Sequence, residues 1–148
     1  MKKLLSIALL GVFVLAGCEM AAMNDDKSMA QKSLYDRLGG KPAITAVVDE
    51  FVARLAADSR VNKRFAKTDI PKLKAHLVDQ ICEATGGPCK YAGKTMRDTH
   101  KGMNITNDEF NWTGEHLAAS LDKFRVPATE KNELLKAIGG TQKDIVGL

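Results

Sequence analysis

Apolar residues recur along most of this chain at helical and not strand spacing. Residues 42–56 carry Ile44, Val47, Val48, Phe51, Val52 and Leu55, which share one face of a 3.6-residue period. Pro42 suits the first turn of that helix, after Gly39-Gly40. Residues 69–84 open on Asp69, a good N-cap, with Pro71 in the first turn and a stripe of Ile70, Leu73, Leu77 and Ile81. Gly86-Gly87-Pro88 ends it. Thr106-Asn107-Asp108-Glu109 matches a capping box, and the helix behind it sets Phe110, Leu117, Leu121 and Phe124 on one face. Val126-Pro127 breaks that helix, and Leu134, Leu135, Ile138 and Ile145 mark a last one reaching about residue 146. No segment alternates convincingly as a strand does. The pattern predicts an all-α domain with four substantial helices.

One stretch resists the pattern. Residues 85–105 form a connection that is long for a compact domain, and such a segment needs something to pack on. It holds Tyr91, Gly93, Met96, His100, Gly102 and Met103. Met96 and His100 are four apart, so a single helical turn puts both on one face.

The chain's N-terminal part follows a different pattern. Met1-Lys2-Lys3 is a short positive region, and the apolar run from Leu4 to Leu15 is interrupted only by Ser6 and Gly11. The run is shorter than the roughly 20 apolar residues that span a bilayer, and it reads as an export signal. Leu15-Ala16-Gly17-Cys18 resembles a bacterial lipobox at all four positions. That resemblance implies cleavage before Cys18, acylation of the cysteine and a lipid anchor on the outer side of the inner membrane. Glu19, not Asp, follows the cysteine, which favours the outer membrane where that position is read. The alternative is a plain secretory signal. The expected organisation is a signal peptide at 1–17, a lipidated Cys18 with a flexible tether to residue 32, and a folded domain at 33–148.

Charge then changes little. The formal charge is +4, from 22 Lys+Arg against 18 Asp+Glu; losing Lys2 and Lys3 leaves 20 against 18, or about +2. The remaining bases are interleaved with acids, so no basic stripe indicates a nucleic-acid partner.

Candidate chemistry rests on three histidines and three cysteines. His76 lies at the edge of the apolar stripe of 69–84, His100 in the irregular stretch, and His116 on the helix after the capping box. Two imidazoles from facing elements around an apolar pocket could ligate one haem iron. A surface or hydrogen-bonded role is the alternative for each histidine. No Cys-x-x-Cys-His occurs, so any bound haem is expected to be non-covalent. Cys82 and Cys89 flank Gly86-Gly87-Pro88, and the chain reversal could pair them in an oxidising compartment. The alternative is a buried Cys82 and a free Cys89. No phosphate loop, serine triad or acidic metal cluster is present in the sequence, and Trp112, Tyr35 and Tyr91 read as packing residues.

Taken together, residues 33–146 resemble the group 1 truncated haemoglobins. The resemblance is carried by Leu34-Tyr35-Asp36-Arg37-Leu38-Gly39-Gly40, Phe51, Phe65, Lys72-Leu73-Lys74, Gly86-Gly87-Pro88, Tyr91-x-Gly93, Met96-x-x-x-His100, Ile105-Thr106, Phe110, His116-Leu117 and Val126-Pro127. It implies a globin-like two-on-two helical sandwich around haem b. It also implies His100 as proximal iron ligand and Phe65 flat on the haem. Val52, Leu73, His76 and Leu77 match the distal side, and Tyr91, Met96, Ile105 and Phe110 the proximal side.

Two departures bear on function. Many members have a tyrosine directly after the phenylalanine that is Phe51 here, and glutamine where Leu73 or Leu77 stands. Valine and leucine cannot donate to the partial negative charge of bound O₂, where a charge-assisted hydrogen bond contributes about 1.5–3 kcal/mol. His76 is left as the polar candidate. In cyanobacterial members a histidine at this position becomes a second iron ligand. The implied partners are a diatomic gas (O₂, NO or CO), an unidentified redox partner and the membrane that takes the lipid. The expectation is a ligand-binding or electron-transfer protein more than a dedicated enzyme. The alternatives are a haem-free helical lipoprotein adaptor and a haem-dependent NO dioxygenase or peroxidase.

Overall fold

Caps and glycines punctuate the fold where local chemistry demands them. The computed structural model describes residues 32–148. The expected signal peptide, Cys18 and nearly all of the tether lie outside the described residues. Helix α1 (Leu34–Arg37) is a single turn capped by the Ser33 hydroxyl, which accepts from Asp36 N. Gly39 and Gly40 take positive φ of 92° and 71°, a region other residues rarely adopt, and turn the chain into α2 (Gly40–Ala57). After a 3₁₀ turn (Asn62–Phe65), the Asp69 carboxylate accepts from Lys72 N and starts α3 (Ile70–Ala84). Helix α4 (Met96–His100) is the short turn expected around Met96 and His100, capped by Thr95. Helix α5 (Asn107–Lys123) opens with a complete capping box: the Thr106 hydroxyl accepts from Glu109 N, and the Glu109 carboxylate accepts from Thr106 N. Helix α6 (Ala128–Gly139) follows Pro127.

The core lies where α2 packs against both α3 and α5, and α5 packs in turn against α6. Two pairs of helices, α2 with α3 and α5 with α6, therefore face each other through α2. Ile44, Val47, Val48, Phe51, Val52 and Leu55 are all buried, joined by Val78 and Ile81 from α3, Leu117 and Leu121 from α5, and Leu134 from α6. Burying such side chains contributes about 1.5–3 kcal/mol each, an upper figure for a partly collapsed unfolded chain.

The structure corrects the sequence reading in three places. The last helix stops at Gly139, short of residue 146. Two glycines are poor helix formers, and Thr141 N donates to Ile138 O as the turn tightens. A second 3₁₀ turn (Gln142–Asp144) follows, and Val146 pairs with Ile105 in an isolated parallel bridge. Phe124, assigned to the apolar face of α5, is the C-cap of that helix and is 44% exposed. Helix α1 went unpredicted because four residues carry no period. Tertiary ion pairs from Arg37 to Glu130 and Glu133 secure it to α6.

Candidate functional site

An apolar cavity of about 480 Å³ opens among α2, α3, α4, α5 and α6. That size is in the range of pockets that bury a small organic ligand. Phe51 and Leu55 come from α2, and Phe65 from the first 3₁₀ turn. Leu73, His76, Leu77, Gln80 and Ile81 come from α3, and Met96 and His100 from α4. Ile105, Phe110 and Leu117 close another wall, with Leu135, Ile138 and Ile145 from the C-terminal part. A smaller apolar cavity of about 190 Å³, lined by residues such as Ile44, Val47, Leu121 and Leu134, carries no titratable side chain.

His100 is held in a defined state. Its Nδ1 lies 2.8 Å from the Met96 carbonyl oxygen. A carbonyl can only accept, so Nδ1 carries a proton and donates, and in the neutral ring that leaves the lone pair on Nε2. That is the arrangement in which an imidazole ligates a metal, with the second nitrogen anchored by a backbone acceptor. The i, i+4 spacing on α4 produces the contact.

His76 sits on the α3 wall, half-buried. Its ring packs edge-to-face with Tyr91 at 5.8 Å between centroids and 70° between planes, so Tyr91 stands beside the α3 wall with His76 and not on the proximal side to which the resemblance assigned it. The Tyr91 hydroxyl donates to the Lys94 carbonyl at 2.9 Å, and burial raises the phenol's pKa. Gln80, also on this wall, points its amide at the Met96 sulfur at 3.4 Å.

Of the residues expected around a cofactor, Phe51, Phe65, Leu73, His76, Leu77, Tyr91, Met96, His100, Ile105 and Phe110 all line the cavity. Val52 does not. It is 4% exposed and packs in the core, because adjacent residues on α2 point about 100° apart and Phe51 takes the wall. His116 is also elsewhere: its Nε2 lies 2.6 Å from an Asp58 carboxylate oxygen. Asp58 is held far below the usual carboxylate range, first by hydrogen bonds from the Arg60 side chain and backbone and then by His116. That cluster ties the end of α2 to α5 and leaves two histidines for the cavity.

The sequence reading missed the polar rim. Arg64 grips Glu109 with two hydrogen bonds of 2.7 and 2.9 Å and donates a third to the Met103 carbonyl at 2.8 Å. The Arg64 guanidinium holds the Glu109 carboxyl down to about 2, helped by the Thr106 backbone N–H. Partners 45 positions apart leave no local signal. Lys72 and Lys94 also reach the cavity. Cys82 and Cys89 are joined by a disulfide with a Cα–Cα distance of 5.7 Å, taking up the pairing that the reversal at Gly86-Gly87-Pro88 allowed.

The donor set fits a haem better than a bare metal ion. No group of three or more His, Cys, Asp or Glu side chains converges among the described residues. An iron already held in a macrocycle needs only axial ligands, and a single imidazole in an apolar slot supplies the first.

Comparison with known proteins gives the same answer. The family model described as bacterial-like globin matches residues 33–146. A group 1 truncated hemoglobin of Tetrahymena pyriformis is 38% identical over 116 residues, covering 78% of this chain and 96% of the relative. The crystal structure of the Fe(III) truncated hemoglobin from that organism superposes with a TM-score of 0.76 at 38% identity, covering 79% of this chain and all of the other. The 2/2 hemoglobin of a Synechococcus species, described as having covalently attached heme, gives a TM-score of 0.73 at 31% identity over 79% of this chain. The cavity, the anchored histidine and these likenesses together place the chain in the bacterial-like globin family, as a group 1 truncated haemoglobin with the two-on-two fold.

Proposed function

We propose that the chain holds haem b non-covalently in this cavity, with His100 as the proximal iron ligand and His76 as the distal one. The protein binds a diatomic gas or cycles electrons on the exported side of a bacterial membrane. The observation that carries this reading is the Nδ1-anchored His100 inside an apolar cavity that also has His76 on its wall. When bound, haem supplies reversible gas binding and one-electron chemistry at its iron.

The chain's own residues set how that chemistry is used. The Met96 carbonyl fixes the His100 tautomer and keeps Nε2 available. Phe65 and the leucines of α3 exclude water. Lys72, Lys94 and the Arg64–Glu109 pair give the cavity a polar edge suited to the carboxylates of a haem. Leu73 and Leu77 offer no donor, and the Gln80 amide is turned to Met96, so His76 would be the polar group of the α3 wall that serves as distal ligand. An imidazole that occupies that position lowers apparent gas affinity by the fraction of closed state.

Export as a lipoprotein rests on the residues before Cys18 and finds support in the Cys82–Cys89 disulfide, a bond at home in an oxidising compartment. Haem loading of the purified chain tests the core of the reading. The expected result is stoichiometric uptake in the wild type, with His100→Ala losing haem rapidly to an acceptor apoprotein. Equal retention by both proteins would point instead to the adaptor reading.

A further inference from the structure

We propose that Tyr91 is a positioning residue for His76, and that the Cys82–Cys89 disulfide holds Tyr91 in place. This deepens the haem reading above and rests on it. The connection is a closed loop through named groups. His76 and Cys82 share α3; Cys82 is bonded to Cys89; Tyr91 follows two residues later and lays its ring edge-on against His76 at 5.8 Å.

Few contacts besides the disulfide fix Tyr91. Its backbone N–H donates to the exposed Glu83 carboxylate at 3.1 Å, and its hydroxyl donates to Lys94 O at 2.9 Å, within the same loop. Gly93 makes room for the ring, since a Cβ there would stand 2.3 Å from the Tyr91 oxygen. The nearby Lys90–Glu83 pair is 3.6 Å long and its lysine is almost fully exposed, so it adds little. The turn before Cys89 has its own bonds, with Gly87 N donating to Cys82 O at 2.7 Å and Tyr35 N to Thr85 O at 2.8 Å. Opening the disulfide therefore loosens the segment that carries Tyr91 and leaves the end of α3 in place.

With the ring in place, His76 has fewer orientations to lose when it takes the distal position. Without it, the closed state is less populated and exogenous ligands enter more readily. The opening step is ordinary thiol–disulfide exchange with a dithiol reductant. Cys82 is fully buried and Cys89 half-buried, so a reductant thiolate attacks Cys89 Sγ and the Cys82 thiolate leaves, taking up a proton. The second reductant thiol then displaces the Cys89 sulfur as a thiol. Two electrons and two protons pass to the protein, and the reductant becomes a disulfide.

The test uses the haem-loaded full-length chain, before and after treatment with dithiothreitol that is then removed. The Cys82→Ser/Cys89→Ser double variant, Tyr91→Ala, Tyr91→Phe and His76→Ala are measured alongside. Ferrous absorption gives the low-spin fraction and stopped flow gives the CO association rate. Reduction, the double serine variant and Tyr91→Ala are expected to move the spectrum toward that of His76→Ala. The CO rate should rise about five-fold if the open fraction goes from about one tenth to about one half. Tyr91→Phe, which keeps the ring, should restore most of the low-spin signature that Tyr91→Ala loses. Reduced wild type and Tyr91→Ala that match untreated wild type, while His76→Ala differs, would overturn the proposal. A His76→Ala protein identical to wild type would instead remove His76 as an iron ligand, and this inference with it. Should Tyr91→Ala fail to fold, reduction of the wild type decides.

Discussion

His100 shows how a residue acquires a role from its backbone. Nothing in an isolated histidine chooses between its two nitrogens; the Met96 carbonyl four residues earlier does. His116 makes its contact to a carboxylate and is thereby absorbed into the structure. The Arg64–Glu109 pair makes a residue-scale prediction. Glu109 titrates at about 2 when folded, against an ordinary value of 4.5, because Arg64 favours its charged form. Its contribution is therefore complete above the unfolded pKa and is lost as pH falls through the folded value. Glu109→Gln preserves the capping box, since glutamine serves at that position, but removes the charge. The variant should be less stable than wild type at neutral pH, and the difference should shrink as pH falls from about 4.5 toward 2. Urea titrations at several pH values check this; a gap independent of pH would show that the ion pair is idle.

At the scale of elements, the parts that were legible in sequence are those with local causes. The α2 and α3 stripes, the Asp69 cap, the Thr106 capping box and the α4 turn all follow from spacing and end chemistry, and the structure has each of them. Among the site residues, the Met96–His100 pair could be read from its i, i+4 spacing, and most of the cavity wall only through family resemblance. What escaped depends on distant partners. Helix α1 needs Glu130 and Glu133, the polar rim needs residues 45 apart, and the fold-back after Gly139 needs Ile105 to pair with Val146. Val52 was matched to the distal side through the family resemblance; in the structure it is buried in the core, and the turn of α2 puts its neighbour Phe51 on the cavity wall. The reversal after α3 carries its own prediction. A Cβ at Gly87 would stand 2.5 Å from Tyr35 Cδ2, 2.7 Å from Cys82 Sγ and 2.8 Å from the Cys82 carbonyl oxygen. Backbone cannot yield as a flexible side chain does, so Gly87→Ala should cost about 1–3 kcal/mol. Chemical denaturation showing a loss below about 0.5 kcal/mol would mean that the turn is looser than this geometry.

On the proposed reading, the molecule as a whole divides its work: the residues before 32 would supply export and the anchor, and the folded domain the haem site. No helix among the described residues is long and apolar enough to cross a membrane; the proposed attachment rests on Leu15-Ala16-Gly17-Cys18 alone. Cys18→Ser should move the protein from the membrane fraction to the soluble one without altering the haem spectrum of the domain. Wild-type protein that is found soluble after export would contradict the anchor. The division also accounts for the charge, half of whose +4 comes from Lys2 and Lys3 in the expected signal.

The central claim is that one iron is shared by His100 and His76 across this cavity, and the ferrous absorption spectrum without added ligand tests it most directly. A low-spin spectrum that becomes high-spin in His76→Ala, with haem retained, is the predicted result. A high-spin wild type, indifferent to loss of His76, would contradict it.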